Sequence, residues 1–105
     1  MIIIKNKLIP FGKFKAINLF GVIFYKGSYP TKNTINHEKI HTAQMKEMLY
    51  IFFYIWYGVE WLIKLFKYNP INAYLNISFE REANVYRYDT TYLNTRKHYS
   101  WFKFI

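Results

Sequence analysis

The feature of this sequence that most limits its fold is an apolar run inside a long stretch without proline. Residues 49–59, "LYIFFYIWYGV", are eleven consecutive apolar residues, and no proline lies between Pro30 and Pro70. A helix that spans a bilayer needs about 20 such residues. Extending the run to residue 66 takes in Glu60 and Lys64. We therefore expect a helix that is buried in a small protein core, and not a transmembrane helix.

The helical pattern around this run extends from about residue 34 to residue 66. Asn33 or Thr34 can cap its first turn, and Gly58 is its weak point, where a kink or break is expected. The sequence "KYNP" then ends the helix. Asn69 can cap a second helix whose first residue is Pro70, and this helix should continue to about residue 93.

Residues 1–30 have a different character. They are dense in Ile, Phe, Val and Tyr and are punctuated by Gly12, Gly21 and Gly27, which predicts two or three antiparallel strands. The fold class is therefore α+β: a small antiparallel N-terminal sheet packed on a long helix and on a second helix. The length of 105 residues predicts one domain, residues 1–105.

The aromatic residues of the C-terminal tail, residues 94–105, are expected to pack back on this body. They are Trp101, Phe102 and Phe104. Aromatic residues make up 23% of the chain, and large rings help to fill the core of so small a domain.

Charge is distributed unevenly along the chain, which has a net charge of +9. All acidic residues lie between Glu38 and Asp89, so both ends are basic. Such a surface attracts anionic partners, although it can also serve solubility alone. The chain has no nucleic-acid motif and no basic run longer than "RK", which argues against nucleic acid. Its Trp and Tyr content leaves peripheral contact with a membrane open.

The chain has no cysteine, which excludes disulfides, thiol catalysis and a cysteine-ligated zinc site. This composition fits a reducing compartment. The N-terminal sequence "MIIIKNK" places its apolar triplet before its lysines, the reverse of the order in a signal peptide. We expect a cytoplasmic protein, with peripheral membrane association as the alternative.

The sequence "HEKIH" carries the most specific chemistry. His37 and His41 are four residues apart on a predicted helix, so they share one face and can bind one metal ion. Glu38 is turned about 100° away from His37, where it can reach a water molecule in the open position of that ion. Two histidine ligands and one glutamate base in this spacing are typical of zinc peptidases.

A catalytic zinc ion usually has three protein ligands, so the site needs one more. His98 is the remaining histidine and lies in the tail. The stronger candidate is a carboxylate of "SFEREAN", residues 78–84, because a glutamate on a second helix can meet the histidine pair.

These two segments together resemble the gluzincin metallopeptidases. The match is closest to the branch of the CAAX-prenyl endoproteases and HtpX-type proteases, whose second motif is F-E-x-x-A-D. Here that motif is "FEREAN", residues 79–84. The short chain also resembles the minigluzincins, which keep little beyond the catalytic helices and a small sheet. The resemblance covers about residues 15–90.

The resemblance implies that His37, His41 and Glu80 bind Zn²⁺ and that Glu38 is the general base. The family's aspartate, which orients a ligand histidine, is replaced here by Asn84. Such partners of ligand histidines tune metal affinity about 10–100-fold. The resemblance also implies that the strand near "GVIFYK", residues 21–26, is a sheet edge that pairs with an extended peptide.

Helix geometry favours Glu80 over Glu82 as the third ligand. The two residues are about 200° apart on a helix, so only one of them can face the histidines. Asn84 lies four residues after Glu80, on the same face, and the small Ala83 would let the two helices approach closely. Glu82 remains the alternative ligand, and otherwise should face away and pair with a Lys or Arg.

The group that stabilises the substrate's oxyanion is not chosen by the sequence. Tyr86, Arg87 and His98 are the candidates. The function that these features favour is hydrolysis of peptide bonds in a peptide or protein substrate, with a partner protein able to supply specificity. The alternatives are a non-catalytic module stabilised by zinc and a basic protein that binds an anionic surface. Glu38 favours the peptidase, because a structural zinc site does not need it.

Overall fold

The N-terminal part of the protein is a three-stranded sheet. The computed structural model describes residues 2–7 and 16–105, and the strands within them are β1 (Ile2–Lys5), β2 (Ala16–Leu19) and β3 (Val22–Tyr25). The strand order is β1-β3-β2. An α+β fold with three strands and helices is therefore confirmed.

The sheet is mixed, so the prediction of a purely antiparallel sheet is wrong for one strand. β2 is antiparallel to β3, with Leu19 opposite Val22, whereas β1 is parallel to β3. A tight hairpin makes β2 and β3 antiparallel, while β1 is not tied to β3 by a hairpin. The predicted turn at Gly12 lies outside the described residues.

The hairpin between β2 and β3 has a two-residue loop, Phe20–Gly21. Both residues have positive φ angles, 52° and 89°, as a type I′ turn requires. Phe20 tolerates this conformation because its ring packs on Tyr54, with 4.9 Å between ring centroids, and its backbone N–H donates to the Tyr54 hydroxyl at 3.0 Å. The turn therefore ties the sheet to a helix.

Five α-helices follow in the described part of the chain, and a short 3₁₀ helix, Ser100–Phe104, ends it. Their bounds are α1 (Lys32–Glu47), α2 (Ile51–Lys64), α3 (Pro70–Leu75), α4 (Ser78–Tyr86) and α5 (Tyr92–Thr95).

The cap of α3 is confirmed and the cap of α1 is corrected. Asn69 caps α3 through its side chain, and Pro70 stands at the first position of that helix. The cap of α1 is Thr31, and not Asn33 or Thr34, because the Thr31 hydroxyl accepts from the backbone N–H of Thr34 at 3.2 Å.

The prediction of one helix from residue 34 to residue 66 with a weak point at Gly58 is wrong. The chain turns back at Leu49 and Tyr50, which have φ angles of 54° and 60°, and α2 passes through Gly58 without a break. The reversal brings Phe53 against Phe79, with 4.5 Å between their ring centroids. A straight helix could not make this core contact.

The prediction that residues 49–59 lie in the core is also wrong. Within this run only Phe53 is buried, at 2% exposure. One face of α2 packs against the rest of the described structure, and its outer face is exposed because none of the described elements covers it. No described helix is long and apolar enough to cross a membrane.

The predicted second helix is divided into α3, α4 and α5. The first break precedes Ser78, whose backbone N–H and hydroxyl both donate to the buried carboxylate of Glu60 on α2. A carboxylate at a helix N-terminus satisfies free N–H groups and interacts favourably with the helix dipole. Glu60 therefore fixes where α4 begins.

The other end of α4 is held by Asn36 of α1. Its amide nitrogen lies within hydrogen-bonding distance of the carbonyl oxygens of Tyr86, Arg87 and Asp89, at 2.9–3.1 Å. These oxygens belong to the end of α4 and the turn after it, where carbonyl groups lack helical partners. α4 is thus held at both ends, by Glu60 of α2 at its start and by Asn36 of α1 at its end.

The tail packs on the core through Trp101. This ring is buried and contacts Phe79, with 4.7 Å between centroids. Phe104 is half-buried near Tyr86, but Phe102 is 64% exposed, so the prediction for Phe102 is wrong. The buried cluster at this place consists of Met45, Phe53, Ile77, Phe79 and Trp101.

An ion-pair network ties the tail to α1 and α4. The Arg96 guanidinium donates to Glu82 at 2.6 Å and to Glu47 at 2.8 Å, and all three side chains are almost fully buried. Breaking a buried ion pair by removing one partner is costly because the other charge is left without compensation.

We expect Arg96→Ala to lower the free energy of unfolding by about 3 kcal/mol, because it leaves the buried Glu82 carboxylate without a counter-ion and Glu47 with only the exposed His98 beside it. Urea denaturation followed by circular dichroism measures this change. Lys97→Ala, at the exposed neighbouring residue, is the matched control and should leave the midpoint unchanged. Equal midpoints for Arg96→Ala and the wild type would contradict the role given to the network.

Candidate metal centre

Three donor atoms from α1 and α4 meet inside the protein. The Nε2 atoms of His37 and His41 are 3.1 Å apart. Oε1 of Glu80 lies 3.3 Å from the first and 3.2 Å from the second. All three side chains are buried, and they line a cavity of about 390 Å³.

The size of this triangle matches what a tetrahedral zinc ion requires. Zinc binds histidine nitrogen and carboxylate oxygen at about 2.0–2.2 Å, so tetrahedral ligand atoms are separated by about 3.3–3.5 Å. The three observed separations are at or just below this range. The donor set fits the metal in number, kind and spacing.

Gln44 determines which nitrogen of His41 carries a proton. Its Oε1 lies 2.8 Å from Nδ1 of His41, and its Nε2 donates to the Phe79 carbonyl and to Glu82. The two donated bonds orient the amide so that its oxygen faces the imidazole. Nδ1 of His41 must then be the donor, so that in the neutral imidazole the lone pair lies on Nε2 and is directed at the triangle.

The triangle therefore favours a cation at its centre. Burial alone would lower the pKa of His41, but the charge and hydrogen bond of Glu80 prevail and raise it to about 9. The same imidazoles hold the pKa of Glu80 well below its usual value in spite of its burial. For His37, burial dominates and lowers the pKa. The positive charge that the Glu80 carboxylate favours at the centre of the triangle can come from a proton shared with His41 or from a metal ion.

Glu38 lies beside the triangle and lines the same cavity. One of its carboxylate oxygens lies within 4.8 Å of a ring nitrogen of each histidine. The distances from Glu38 to the histidines are longer than those from Glu80, as expected for a carboxylate that faces a water molecule and does not bind the metal ion. Burial raises the pKa of Glu38 to about 7, while the charge of His41 opposes this shift and the charge of Glu80 adds to it.

Two tyrosines at the site were missed by sequence reasoning. The Tyr57 hydroxyl donates to Oε2 of Glu80 at 2.7 Å, and the Tyr74 hydroxyl also forms a hydrogen bond with Glu80. Burial and nearby carboxylates raise the pKa of both hydroxyls, which therefore remain protonated donors. Tyrosine is too common in this chain for these two to stand out, and their helices meet only in the folded protein.

The structure brings Glu80 to the histidines and directs Glu82 elsewhere. Glu82 contacts Arg96, Tyr92 and Gln44, as the prediction that it should pair with a basic residue required. Asn84 is half-buried, and no hydrogen bond joins it to either histidine. Gln44, which the sequence analysis did not consider, holds His41 instead. Nδ1 of His37 is buried without a partner among the described residues.

None of the three candidates for oxyanion stabilisation lines the cavity. Tyr86 stacks on Tyr92, with 3.7 Å between ring centroids, and the side chain of His98 is 86% exposed beside Glu47. Arg87 donates to Thr34 and is near enough to His37 for its charge to contribute to the lowered pKa there, but it does not line the cavity.

Comparisons of the chain with protein-family models, with curated proteins and with solved structures gave no match. The gluzincin resemblance therefore rests on the two sequence motifs alone.

The cavity is bordered by β2, and not by the strand that the resemblance implied. β3, residues 22–25, is the middle strand of the described sheet, so it is not an edge. β2 has only β3 as a neighbour among the described strands, and its four residues line the cavity. Asn18 of β2 donates to the Glu38 carbonyl and to the Thr42 hydroxyl, both at 2.7 Å. This pair of bonds holds the strand beside the metal centre.

Proposed function

We propose that this chain is a zinc-dependent peptidase in which His37, His41 and Glu80 are the zinc ligands and Glu38 is the general base. The observation that supports the proposal most directly is the triangle of donor atoms with Glu38 beside it on the same cavity. The fourth position of a catalytic zinc site must be open to water and substrate, and a cavity next to the triangle meets this requirement.

Zinc bound at these atoms supplies two effects: it lowers the pKa of a water molecule to about 7, and it polarises the substrate carbonyl. Glu38 accepts the proton of the attacking water and passes it to the leaving amine. A base with a pKa near the working pH suits both transfers. Burial of Glu38 brings its pKa into that range in the protein alone.

The neighbours of the ligands hold them in place for this chemistry. Gln44 keeps the Nε2 lone pair of His41 available, and Tyr57 orients Glu80 through its second oxygen. Tyr74 is the hydroxyl that we propose as donor to the oxygen of the substrate carbonyl, because it lines the cavity and stays protonated. Its single O–H would turn from Glu80 to that oxygen when the substrate binds. Tyr74 thus replaces Tyr86, Arg87 and His98 as the candidate for stabilising the oxyanion of the substrate.

A peptide substrate can be aligned by β2. An extended segment added to the edge of this strand would form backbone hydrogen bonds and run past Glu38. Few subsites fit in so small a protein, and a partner protein can supply further specificity. The chain has no cysteine, as suits a reducing compartment, and we place the protein in the cytoplasm.

We expect one zinc ion per chain in protein purified without added metal, measured by elemental analysis. His41→Ala should lose the ion and lower the melting temperature, because a metal that binds only the folded state stabilises it. His98→Ala removes an exposed histidine and is the matched control, which should keep full zinc. Full zinc in His41→Ala would contradict the ligand assignment.

We expect Glu38→Gln to retain zinc and to cleave an unstructured peptide about 10²–10⁴-fold more slowly than the wild type. The amide keeps the size of the side chain but cannot accept the proton. Equal rates for the two proteins would rule out Glu38 as the base. If the zinc-loaded wild type cleaves no peptide, the non-catalytic, zinc-stabilised module becomes the better explanation.

We expect Gln44→Leu to weaken zinc binding about 10–100-fold, because the partner of His41 is lost. Competition with a chelator of known affinity measures this change. Lys46→Leu, at an exposed position of the same helix, is the control and should bind zinc as the wild type does. An unchanged affinity in Gln44→Leu would show that Gln44 does not support the ligand.

A further inference from the structure

The outer face of α2 and the turn after it form a continuous apolar stripe. Its members recur at intervals of one, three and four residues, so they lie along one side of the helix. All are exposed, from 38% for Trp56 to 94% for Phe66. The members of this α2 stripe are Ile51, Phe52, Ile55, Trp56, Val59, Leu62, Ile63 and Phe66.

The side chains of the α2 stripe offer almost no free hydrogen-bond donors or acceptors to a polar partner. Seven of its eight side chains are pure hydrocarbon, and the indole N–H of Trp56 already donates to Glu60 at 2.8 Å. Protein–protein interfaces carry about one hydrogen bond per 100–200 Å², and an apolar patch of this length on a monomer marks a binding surface. The hydrocarbon region of a bilayer requires no hydrogen bonds from its partner.

The charge of the surface is almost entirely positive. Five of the six acidic side chains are buried, and Asp89 is the exposed one. The basic residues are in large part exposed. Lys67 follows the C-terminal end of the α2 stripe, and Lys46, in the last turn of α1, precedes its N-terminal end. The described surface is therefore more positive than the interior, which holds five of the six acidic side chains.

We propose that the α2 stripe docks on an anionic lipid bilayer, with α2 lying in the membrane interface. Apolar side chains would enter the acyl region, while the exposed Lys46 and Lys67 would reach the lipid phosphates. Trp56 is the kind of residue that is enriched at this depth. Each lysine near an anionic membrane surface contributes about 1 kcal/mol to binding.

Charge also decides against a second copy of the chain as the occupant. Two stripes brought together would bring together two chains that each have a net charge of +9, and the described surface holds only Asp89 as an exposed acid to offset it. An anionic bilayer turns the same charge into attraction.

Docking of this kind would place the candidate metal centre next to the membrane. The inner face of α2 lines the cavity with Tyr54, Tyr57 and Trp61, while its outer face carries the stripe. The membrane proposal does not depend on peptidase activity, and its test uses binding alone.

Flotation of the full chain with vesicles tests the proposal. Vesicles of phosphatidylcholine with roughly 30% phosphatidylserine have an anionic-lipid content similar to that of natural anionic membranes. They should carry the protein to the top of a gradient. Vesicles of phosphatidylcholine alone should carry much less, and raised salt should weaken binding to the anionic vesicles. Absence of flotation with anionic vesicles would overturn the proposal.

A pair of double variants locates the surface. Ile55→Glu with Ile63→Glu places two carboxylates on the stripe and should reduce binding at least about tenfold. Ile2→Glu with Val85→Glu adds the same charge at two exposed apolar positions outside α2 and should retain more of the binding. Equal binding by the two double variants would overturn the assignment to α2. All four positions are exposed, so both proteins should fold, which circular dichroism checks.

Sedimentation of the protein without lipid tests whether the α2 stripe binds a second copy of the chain instead of a membrane. The proposal requires a monomer that binds anionic vesicles. A dimer that is abolished by Ile55→Glu with Ile63→Glu, together with no vesicle binding by the wild type, would assign the α2 stripe to self-association instead.

Discussion

The Glu80 carboxylate lies in the interior against the imidazoles of His37 and His41, and the positions of the helices around it depend on further buried carboxylates. Burying a charge is costly unless it is paired and hydrogen-bonded. Glu82 meets this condition at Arg96 and Gln44, and Glu60 is held by hydrogen bonds from Ser78 at the first residue of α4 and from Trp56. The protein therefore uses its few acidic residues as internal ties, and α4 is the element that they hold.

Because most acidic residues are buried, few negative charges remain on the surface. The surface keeps the basic residues with little to neutralise them, and the apolar outer face of α2 remains uncovered beside them. The protein places most of its acidic residues inside, whereas most of the described basic residues lie outside. This one distribution of charge underlies both the interior that supports the proposed zinc site and the surface proposed to meet a membrane.

The parts of the structure that the sequence predicted are those set by local geometry. The spacing of His37 and His41 places them on one face of a helix, and the angle of about 200° between residues 80 and 82 separates the two glutamates. Both expectations agree with the observed positions. The cap at Asn69 is equally local, because Asn followed by Pro is a direct helix-start signal.

The parts that could not be predicted depend on contacts between distant residues. The chain turns at Leu49 and Tyr50, which carry no turn signal, because the reversal brings Phe53 to Phe79. Gln44 supports His41 only because Glu82 and the Phe79 carbonyl orient its amide. An apolar run looks the same in sequence whether it is buried by protein or left exposed, so the exposure of the α2 stripe was not visible either.

The most direct test of the account is a crystal structure of the protein as purified, with anomalous diffraction measured on both sides of the zinc edge. The account predicts one zinc peak within about 2.0–2.2 Å of His37 Nε2, His41 Nε2 and Glu80 Oε1, with Glu38 facing the open position. A peak coordinated by Glu82, or zinc bound at a place that does not involve the two histidines of α1, would contradict it.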